Sequence, residues 1–208
     1  MPVIALVGNK GGAGKTTLSV NLAAGLARLS SVSVVDADPQ GSAHQWSVFS
    51  GADNAVAVVE GDEKLDLQAR NLLDEYHYVI FDCPPSLHAQ QTRVVLEFAD
   101  IALIPVQPSP VDLWATVHIE EAVARAREVN PGLHALLVIN QLESRTILSR
   151  LMREVLSEID LPVANTAIRR RAIYRSSALE GKTIFDMGRR GEDAADELQQ
   201  LIQEVIER

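Results

Sequence analysis

The sequence predicts an α/β fold, a doubly wound, mainly parallel sheet with helices on both faces. Three observations carry this prediction. Apolar runs of strand length alternate with helical segments almost throughout the chain, as they do where helices connect parallel strands. A glycine-rich loop joins the first strand to the first helix. Of the 208 residues, 47% are hydrophobic but only 4% are aromatic, so mainly aliphatic side chains must fill the core of one domain, residues 1–208.

The N-terminal half of the chain supplies four predicted strands, each an apolar run of strand length. The second of these strands ends in two aspartates. Helical segments lie between the strands, and one of them carries leucines at the spacing of a helix face. The predicted strands are residues 3–7, a run beginning at residue 33, residues 56–59 and residues 78–82. The first predicted helix begins near residue 15, and the other three cover residues 42–50, 63–75 and 87–98.

The C-terminal half continues the alternation and ends in a helix with an apolar stripe. Three prolines around the end of the fifth strand predict a stiff, extended loop there. The sequence Asn130-Pro131-Gly132 stops the long helix that follows. The remaining predicted strands are residues 101–106 and 133–140, with a short extended piece near residues 161–164. The remaining predicted helices are residues 111–129, 145–158 and 192–207.

The loop at residues 8–17 reads Gly-Asn-Lys-Gly-Gly-Ala-Gly-Lys-Thr-Thr and ends like the phosphate-binding pattern G-x-x-x-x-G-K-[ST], with Gly8 one residue early. Its glycines let backbone N–H groups converge on a phosphate, and the positive end of the next helix points at the same anion. Lys15 is expected to reach the β- and γ-phosphates and the Thr16 hydroxyl to ligate Mg²⁺. A glycine-rich turn without a ligand would not need Gly-Lys-Thr. The expected nucleotide contacts are Gly11, Gly12, Ala13, Gly14, Lys15, Thr16 and Thr17.

A second lysine, Lys10, opens this loop, and K-G-G-x-G-K-T-T resembles the deviant Walker A box of the ParA/MinD family of partitioning and positioning ATPases. The resemblance covers nearly the whole chain, whose length is similar to that of short, ParF-like members. It implies a P-loop NTPase that uses ATP and Mg²⁺ and forms a homodimer with ATP. In that family the signature lysine touches the partner's nucleotide, so Lys10 joins Lys15 as an expected catalytic residue. Taken alone, Lys10 could equally be a solvated loop lysine.

Two aspartates, Asp36 and Asp38, follow the second strand at the edge where open α/β sheets bind ligands. The sequence Asp-Ala-Asp-Pro-Gln resembles the family's D-x-D-P-Q switch I. This resemblance implies that Asp38 positions or activates the attacking water and that Asp36 holds Mg²⁺ through its water shell. Asp82 begins Asp-Cys-Pro-Pro, which is similar to the D-x-P-P switch II, and is expected to contact Mg²⁺, often through water. The alternative for Asp36 and Asp38 is a simple Asp-Pro turn at the end of the strand, without a ligand. The alternative for Asp82 is an aspartate that caps the following helix.

Asn140 ends a strand on the same carboxyl edge of the predicted sheet. In MinD-like relatives an asparagine at this place hydrogen-bonds the adenine, so the resemblance implies that Asn140 contacts the nucleotide base. The following residue, Gln141, departs from the usual Asn-Arg pair. The alternative for Asn140 is an ordinary turn residue.

Residues 169–190 form a locally basic segment on an acidic chain. Seven basic residues against two acidic ones give the segment a net charge of +5, whereas the whole chain carries −9. Such a segment favours sequence-independent contacts to a phosphate backbone. In ParA proteins the corresponding arginines precede a G-K-x-[IV]-F-like strand and bind nonspecific DNA, and residues 181–185 fit that pattern. The expected DNA contacts are Arg169, Arg170, Arg171 and Arg175. The alternative is a solvated arginine face that also pairs with acids.

The composition argues against several other classes of protein. Cys83 is the single cysteine, which argues against a disulfide framework and a cysteine-rich zinc site. The N-terminus has no basic region or cleavage site, and no apolar run approaches the roughly 18–20 residues of a membrane span. These observations predict a soluble, cytoplasmic chain with no membrane partner.

The function that follows from the resemblance is an ATP-switched dimer that associates with the nucleoid through nonspecific DNA and positions a cargo. A ParB-like or other cargo adaptor would stimulate hydrolysis, and the cargo could be a plasmid, a chromosome or a protein body. The alternative is a MinD-like membrane-cycling ATPase, but this needs a basic amphipathic C-terminal anchor, and the final helix is acidic on its polar face. Metabolic and redox relatives lack support because a cysteine pair and a second substrate signature are absent. A further alternative is a scaffold that binds nucleotide without hydrolysing it. Such a protein would not need Asp38, the residue expected to act on the attacking water.

Overall fold

The structure is a computed structural model that describes residues 2–50, 56–143, 152, 154–156 and 159–207, with residues 110–117 described by their backbone alone. Within these residues, six parallel strands form one sheet in the order β3-β2-β4-β1-β5-β6. The predicted fold class is therefore confirmed. The strands are β1 (Val3–Leu6), β2 (Val32–Asp36), β3 (Ala57–Glu60), β4 (Tyr78–Asp82), β5 (Ile101–Val106) and β6 (His134–Ile139).

The strand order reverses at β1, because the chain continues to β2 and β3 on one side of β1 and to β5 and β6 on the other. Open parallel sheets bind ligands at such a reversal, outside the carboxyl ends of the strands. Leu6, the last residue of β1, is in register with Asp82 of β4 and Leu103 of β5. The loops that follow these strands therefore leave from the same edge, and the glycine-rich loop lies at its centre.

Helices cover both faces of the sheet and bury two separate hydrophobic cores. Adjacent strand residues point to opposite faces, so Val34 packs in one core and Val35 in the other. This two-sided burial explains why the strands are continuous apolar runs. One core includes residues of α1 (Lys15–Leu26), α2 (Ser42–Ser50) and α7 (Glu192–Ile206), with α6 (Ala172–Leu179) packed against it. The other includes residues of α3 (Leu65–Leu73), α4 (Gln90–Leu96) and α5 (Pro110–Val129).

Residues 162–171, which we call the β6 strap, run along the outer edge of β6. The N–H of Leu137 donates to Pro162, and the N–H of Ala164 donates to Leu137, each at 2.8 Å. Farther along, the N–H of Ile168 donates to Ile139 at 2.8 Å. The extended piece predicted near residues 161–164 is therefore present, and its continuation brings the arginines of the basic segment to the carboxyl edge of the sheet.

Residues 181–185 do not form the strand that the family pattern implied. The chain turns at Gly181, whose φ is +63°, and residues Ile184–Asp186 form a single 3₁₀ turn. The carboxylate of Asp186 accepts hydrogen bonds from the backbone N–H of Thr183 at 2.9 Å and from its hydroxyl at 2.7 Å. Asn21 of α1 accepts a further bond from the N–H of Ile184 at 2.8 Å. These local bonds satisfy the backbone as a turn, which is why no strand forms.

The other predicted elements are present with ends that differ by at most three residues. The helix predicted at residues 145–158 lies largely outside the described residues. The apolar stripe of α7, with Leu198, Leu201 and Val205, is buried against the sheet, as expected for a helix that docks on the core. In the part of the chain that the structure describes, every helix is too short or too polar to cross a membrane.

Candidate nucleotide-binding site

The glycine-rich loop joins β1 to α1 and takes its shape from two glycines with positive φ. Gly12 has a φ of +79° and Gly14 a φ of +94°, a region that side chains other than glycine rarely adopt. At Gly14 space is also restricted, because a Cβ there would lie 2.4 Å from the amide nitrogen of Asn140. A glycine at this position therefore satisfies both the turn into α1 and the close approach of β6.

Three side-chain amides hold the loop from its outer side. The Nε2 atoms of Gln107 and Gln141 donate to the carbonyl of Gly12 at 2.7 and 3.0 Å, and Nδ2 of Asn140 donates to the carbonyl of Ala13 at 2.7 Å. Those two carbonyls share peptide planes with the N–H groups of Ala13 and Gly14. The amides therefore fix the orientation of N–H groups expected to bind phosphate.

Sequence reasoning missed Gln107 and Gln141. Gln107 directly follows the buried strand β5, as Asn140 follows β6, so the rule that identified Asn140 could have found it. Gln141 has a φ of +56° and is, within the described residues, the one non-glycine residue with a positive φ. This unusual conformation could not be read from the sequence.

Lys15, the first residue of α1, is buried, and its Nζ donates to the carbonyl of Lys10 at 3.3 Å. Burial lowers the pKa of Lys15, and the charges of Asp82 and Asp38 oppose this shift. The ammonium therefore lies near enough to Asp82 and Asp38 for their charges to stabilise its protonated form. Lys10 itself is exposed.

Asp82 ends β4 and is 1% exposed. The hydroxyl of Ser19 donates to its Oδ1 at 3.0 Å, and Thr16 contributes a second side-chain hydrogen bond. Burial, together with the nearby charge of Asp36, nevertheless raises the pKa of Asp82 to about 7. Among the described residues, its Oδ2 has no hydrogen-bond partner. A buried carboxylate oxygen without a partner indicates that a cation or water belongs beside it.

Asp36 and Asp38 differ in what they already bind. Asp36 is in register with Asp82 across β2 and β4, and its two oxygens accept backbone N–H bonds from Asp38 at 3.3 Å and from His44 at 2.8 Å. Burial raises the pKa of Asp36 in spite of these bonds. Asp38 is half-buried, and in the described contacts its carboxylate accepts one bond, from the N–H of Gln40 at 3.0 Å. Asp36 thus also orders the start of α2, whereas Asp38 remains at the solvent boundary of the site.

A cavity of about 500 Å³ lies beside the glycine-rich loop, a volume typical of small-molecule sites. The first turn of α1, the end of β6, the β6 strap and α6 form its walls. Asn140, which is 5% exposed, uses one N–H of its amide to donate to the carbonyl of Ala13, and its oxygen is an acceptor that it can offer a ligand. The residues lining this cavity include Gly14, Thr17, Leu18, Asn140, Arg171 and Tyr174.

The four arginines predicted to bind DNA all line this cavity, and three of them pair with acids. Arg169 lies 3.6 Å from Glu197, and Arg170 lies 2.5 Å from Glu143. Arg171 pairs with Asp193 at 3.0 Å and with Glu197 at 2.7 Å, and only 23% of its side chain is exposed. The alternative of an arginine face that pairs with acids therefore describes part of this segment. Arg175 is exposed on α6.

Among the described residues, no group of three histidine, cysteine, aspartate or glutamate side chains could hold a metal ion. Mg²⁺ keeps several waters and is commonly shared with substrate phosphates rather than enclosed by protein ligands. The described donors that fit such a role are the hydroxyl of Thr16 and the unpartnered oxygen of Asp82. The shielded oxygens of Asp36 fit a contact through water.

Comparisons with known proteins agree with this geometry. A family model described as the CobQ/CobB/MinD/ParA nucleotide binding domain matches residues 4–184. The "maintenance of carboxysome distribution protein A" of Halothiobacillus neapolitanus is 43% identical over 206 residues, which cover 98% of this chain and 95% of the relative. MinD of Aquifex aeolicus has a TM-score of 0.79 at 16% identity, covering 100% and 98% of the two chains. A Cyanothece McdA variant in complex with ATP has a TM-score of 0.73 at 18% identity, covering 99% and 96%. At these identities, the two structural likenesses show a shared fold.

Proposed function

The chain belongs to the CobQ/CobB/MinD/ParA nucleotide-binding family, and we propose that it is a Mg²⁺-dependent ATPase that dimerises with ATP, binds nonspecific DNA and positions a cargo. One observation carries the ATPase assignment. Buried Lys15, the Thr16 hydroxyl and an unpartnered oxygen of buried Asp82 converge at the end of the sheet where the glycine-rich loop lies. The fold alone would need none of them there.

The residues present fit Mg²⁺ and ATP. Two buried acids, Asp36 and Asp82, lie side by side at the ends of β2 and β4, and burial raises both acid pKa values. A divalent cation beside Asp82 would offset this excess of negative charge. When bound with ATP, Mg²⁺ would neutralise part of the charge on the phosphates. The backbone of residues 11–14 and Lys15 would hold those phosphates, and Thr16 and Asp82 would hold the metal, with Asp36 acting through water.

The adenine is assigned to the cavity beside the loop. Because Asn140 offers an oxygen there, it can accept a hydrogen bond from the exocyclic amine of adenine. Guanine presents a carbonyl oxygen at the corresponding position. That oxygen and the oxygen of Asn140 are both acceptors, so they cannot hydrogen-bond to each other. The site therefore favours ATP over GTP.

Hydrolysis is assigned to Asp38. Its half-buried carboxylate lies close enough to Lys15 to affect the lysine's pKa. A carboxylate at this place can orient a water for attack on the γ-phosphate, while Lys15 and the loop N–H groups stabilise the charge on the transferred group. Asp36 is a poorer candidate because both of its oxygens accept backbone bonds.

The ATP state is proposed to be a dimer in which Lys10 contacts the partner's nucleotide. Lys10 is exposed at the opening of the loop, whereas Lys15 is buried within it. The two lysines can therefore serve two nucleotides, one in each protomer. Turnover would release the contact, so that ATP and ADP set the assembly state.

The cargo is proposed from the relatives. A protein named for carboxysome distribution is 43% identical over 98% of this chain, which favours a large protein body as the cargo over a plasmid or a chromosome. A ParB-like or other adaptor on that body would stimulate hydrolysis and release the dimer from the nucleoid. The adaptor would thereby convert ATP turnover into movement of the cargo.

DNA binding is proposed to use the exposed arginines at the edge of the site. The side chains of Arg169 and Arg170 are 57% and 58% exposed, and Arg175 is exposed on α6. The ion pair of Arg170 with Glu143, whose side chains are 58% and 51% exposed, is at the surface, where such pairs contribute little, so a phosphate can displace it. Arg171 is more enclosed and pairs with two acids, so we keep it out of the test below.

Replacing Arg170 and Arg175 together by alanine is expected to weaken DNA binding by the ATP form. Each lost phosphate contact lowers the slope of log affinity against log salt by roughly 0.9, so a dimer that loses four contacts should show a slope smaller by roughly 3 to 4. Electrophoretic shifts with unrelated duplexes over a salt series, run with ATP and with ADP, measure both effects. Because both arginines also line the cavity assigned to the adenine, ATP affinity is measured in parallel and DNA binding is compared at nucleotide concentrations that saturate each protein.

The matched control replaces Arg93 and Arg125 by alanine. These two exposed arginines lie on α4 and α5, on the opposite face of the sheet, and the same charge is lost. The control variant should bind DNA like the wild type. An equal loss of DNA affinity in both variants, or the same DNA affinity with ATP and with ADP, would contradict the DNA assignment. Another surface, such as a membrane, would then be favoured.

A further inference from the structure

The C-terminal helix α7 presents three acids toward the β6 strap. Asp193, Glu197 and Glu204 are spaced by four and seven residues, which places them along one side of the helix. This side flanks the buried apolar stripe, so the carboxylates lie where α7 meets the sheet edge. None of these acids belongs to a nucleotide-binding motif.

Together the three acids bind the strap at both of its ends. Glu204 accepts hydrogen bonds from the N–H groups of Asn165 at 2.8 Å and Thr166 at 2.7 Å. Glu197 accepts from the N–H of Arg169 at 3.1 Å and from the guanidinium of Arg171 at 2.7 Å. Asp193 accepts from the other arm of that guanidinium at 3.0 Å. Backbone bonds to β6 hold the strap on its inner side, and these carboxylates hold it from α7.

Glu197 and Arg171 are the most enclosed pair in this set, with side chains 14% and 23% exposed. The guanidinium uses its two arms on two separate carboxylates, so it fixes the strap to two turns of α7. Among the described residues, Nε of Arg171 and the hydroxyl of Tyr174 are buried without a hydrogen-bond partner. Both residues line the cavity beside the glycine-rich loop. The placement of the Arg171 guanidinium therefore depends on its ion pairs with α7.

We propose that Glu197 is a positioning residue for the nucleotide base: it fixes Arg171 and the adjoining strap as one wall of the cavity beside the glycine-rich loop. The inference rests on the proposed function, because it assumes that this cavity receives the base. The inference predicts different effects on the phosphate-binding part and the base-binding part of the site. The phosphates bind to residues 11–16, which Glu197 does not contact, whereas the base lies against a wall that Glu197 holds.

The test is the Glu197→Gln variant, which keeps the shape of the side chain but leaves Arg171 facing a neutral partner. Affinity for ATP is expected to fall about tenfold, because a half-paired guanidinium no longer holds the wall. Affinity for inorganic tripolyphosphate, which has no base, is expected to stay within about twofold of the wild type. Calorimetric titration of both probes with Mg²⁺ gives both numbers. Asp196→Asn, which removes an exposed acid from the preceding position of α7, is the matched control and should change neither affinity.

Three outcomes separate the possibilities. Unchanged ATP affinity in Glu197→Gln would overturn the inference while leaving the proposed function intact. Equal losses for ATP and tripolyphosphate would also overturn it, since the residue would then support the whole fold. Failure of the wild-type protein to bind ATP would reject the proposed function itself. If Glu197→Gln does not fold, the double variant Arg171→Met with Glu197→Gln takes its place, because neither residue of the pair then carries a buried charge. The same selective loss of ATP affinity is expected for it.

Discussion

Replacement of Lys15 by alanine is expected to lower the affinity for both ATP and ADP by about 100-fold or more. The buried ammonium is the single side-chain cation that the described loop holds inside the phosphate site. Its hydrogen bonds to phosphate are charged and form away from bulk water. Each such bond contributes about 1.5 to 3 kcal/mol, and the substitution removes these bonds together with the positive charge. Calorimetric titration with each nucleotide measures the change.

The fold should survive this substitution. Burial already lowers the pKa of Lys15, which means that the folded protein holds its charged form at a disadvantage relative to water. Lys15→Gln should behave like Lys15→Ala because it also lacks the charge. Lys64→Ala, at an exposed position before α3, is the matched control and should bind both nucleotides normally. Wild-type affinity in Lys15→Ala would remove the phosphate-site assignment.

Asp38→Ala is expected to slow ATP hydrolysis by about 100-fold or more while ATP still binds. Positioning of a nucleophile by a side chain contributes roughly 10²- to 10⁴-fold to such reactions. The glycine-rich loop, Lys15 and Asp82 do not hydrogen-bond to Asp38 in the described contacts, so the binding site should remain formed. Phosphate release under single-turnover conditions with Mg²⁺ measures the chemical step separately from binding.

A second variant separates chemistry from local structure at this position. Asp38 accepts a hydrogen bond from the N–H of Gln40 and so shapes the turn after β2. Asp38→Asn keeps a side-chain oxygen for that bond but removes the negative charge. Both variants should therefore lose hydrolysis. Normal hydrolysis in Asp38→Asn would show that the turn, rather than the carboxylate, is what the reaction needs.

The arrangement of Asp36, Asp82 and Asn140 could be predicted because it depends on a rule of parallel sheets. Each residue ends or follows a strand, and the carboxyl ends of parallel strands share one edge. The glycine-rich loop was predictable for a similar reason, since its positive-φ positions need glycine. These features depend on residues close together in the chain and on strand direction alone.

The contacts that refine the site could not be predicted because they join distant segments. Gln107 reaches Gly12 across 95 positions, and Arg171 reaches Glu197 across 26. An arginine-rich segment looks the same in the sequence whether its side chains meet phosphates or carboxylates. Only the docking of α7 beside the β6 strap separates Arg171, which is enclosed, from Arg170 and Arg175.

The central claim is that ATP assembles two protomers through Lys10, and molar mass from light scattering after size-exclusion tests it most directly. The wild-type protein with Mg²⁺ and ATP should elute at twice the mass of the chain, and with ADP at the mass of one chain. Lys10→Ala should stay at the mass of one chain in both nucleotides while keeping its ADP affinity. A Lys10→Ala variant that still dimerises with ATP, or a wild-type protein with the same mass in ATP and ADP, would contradict the claim.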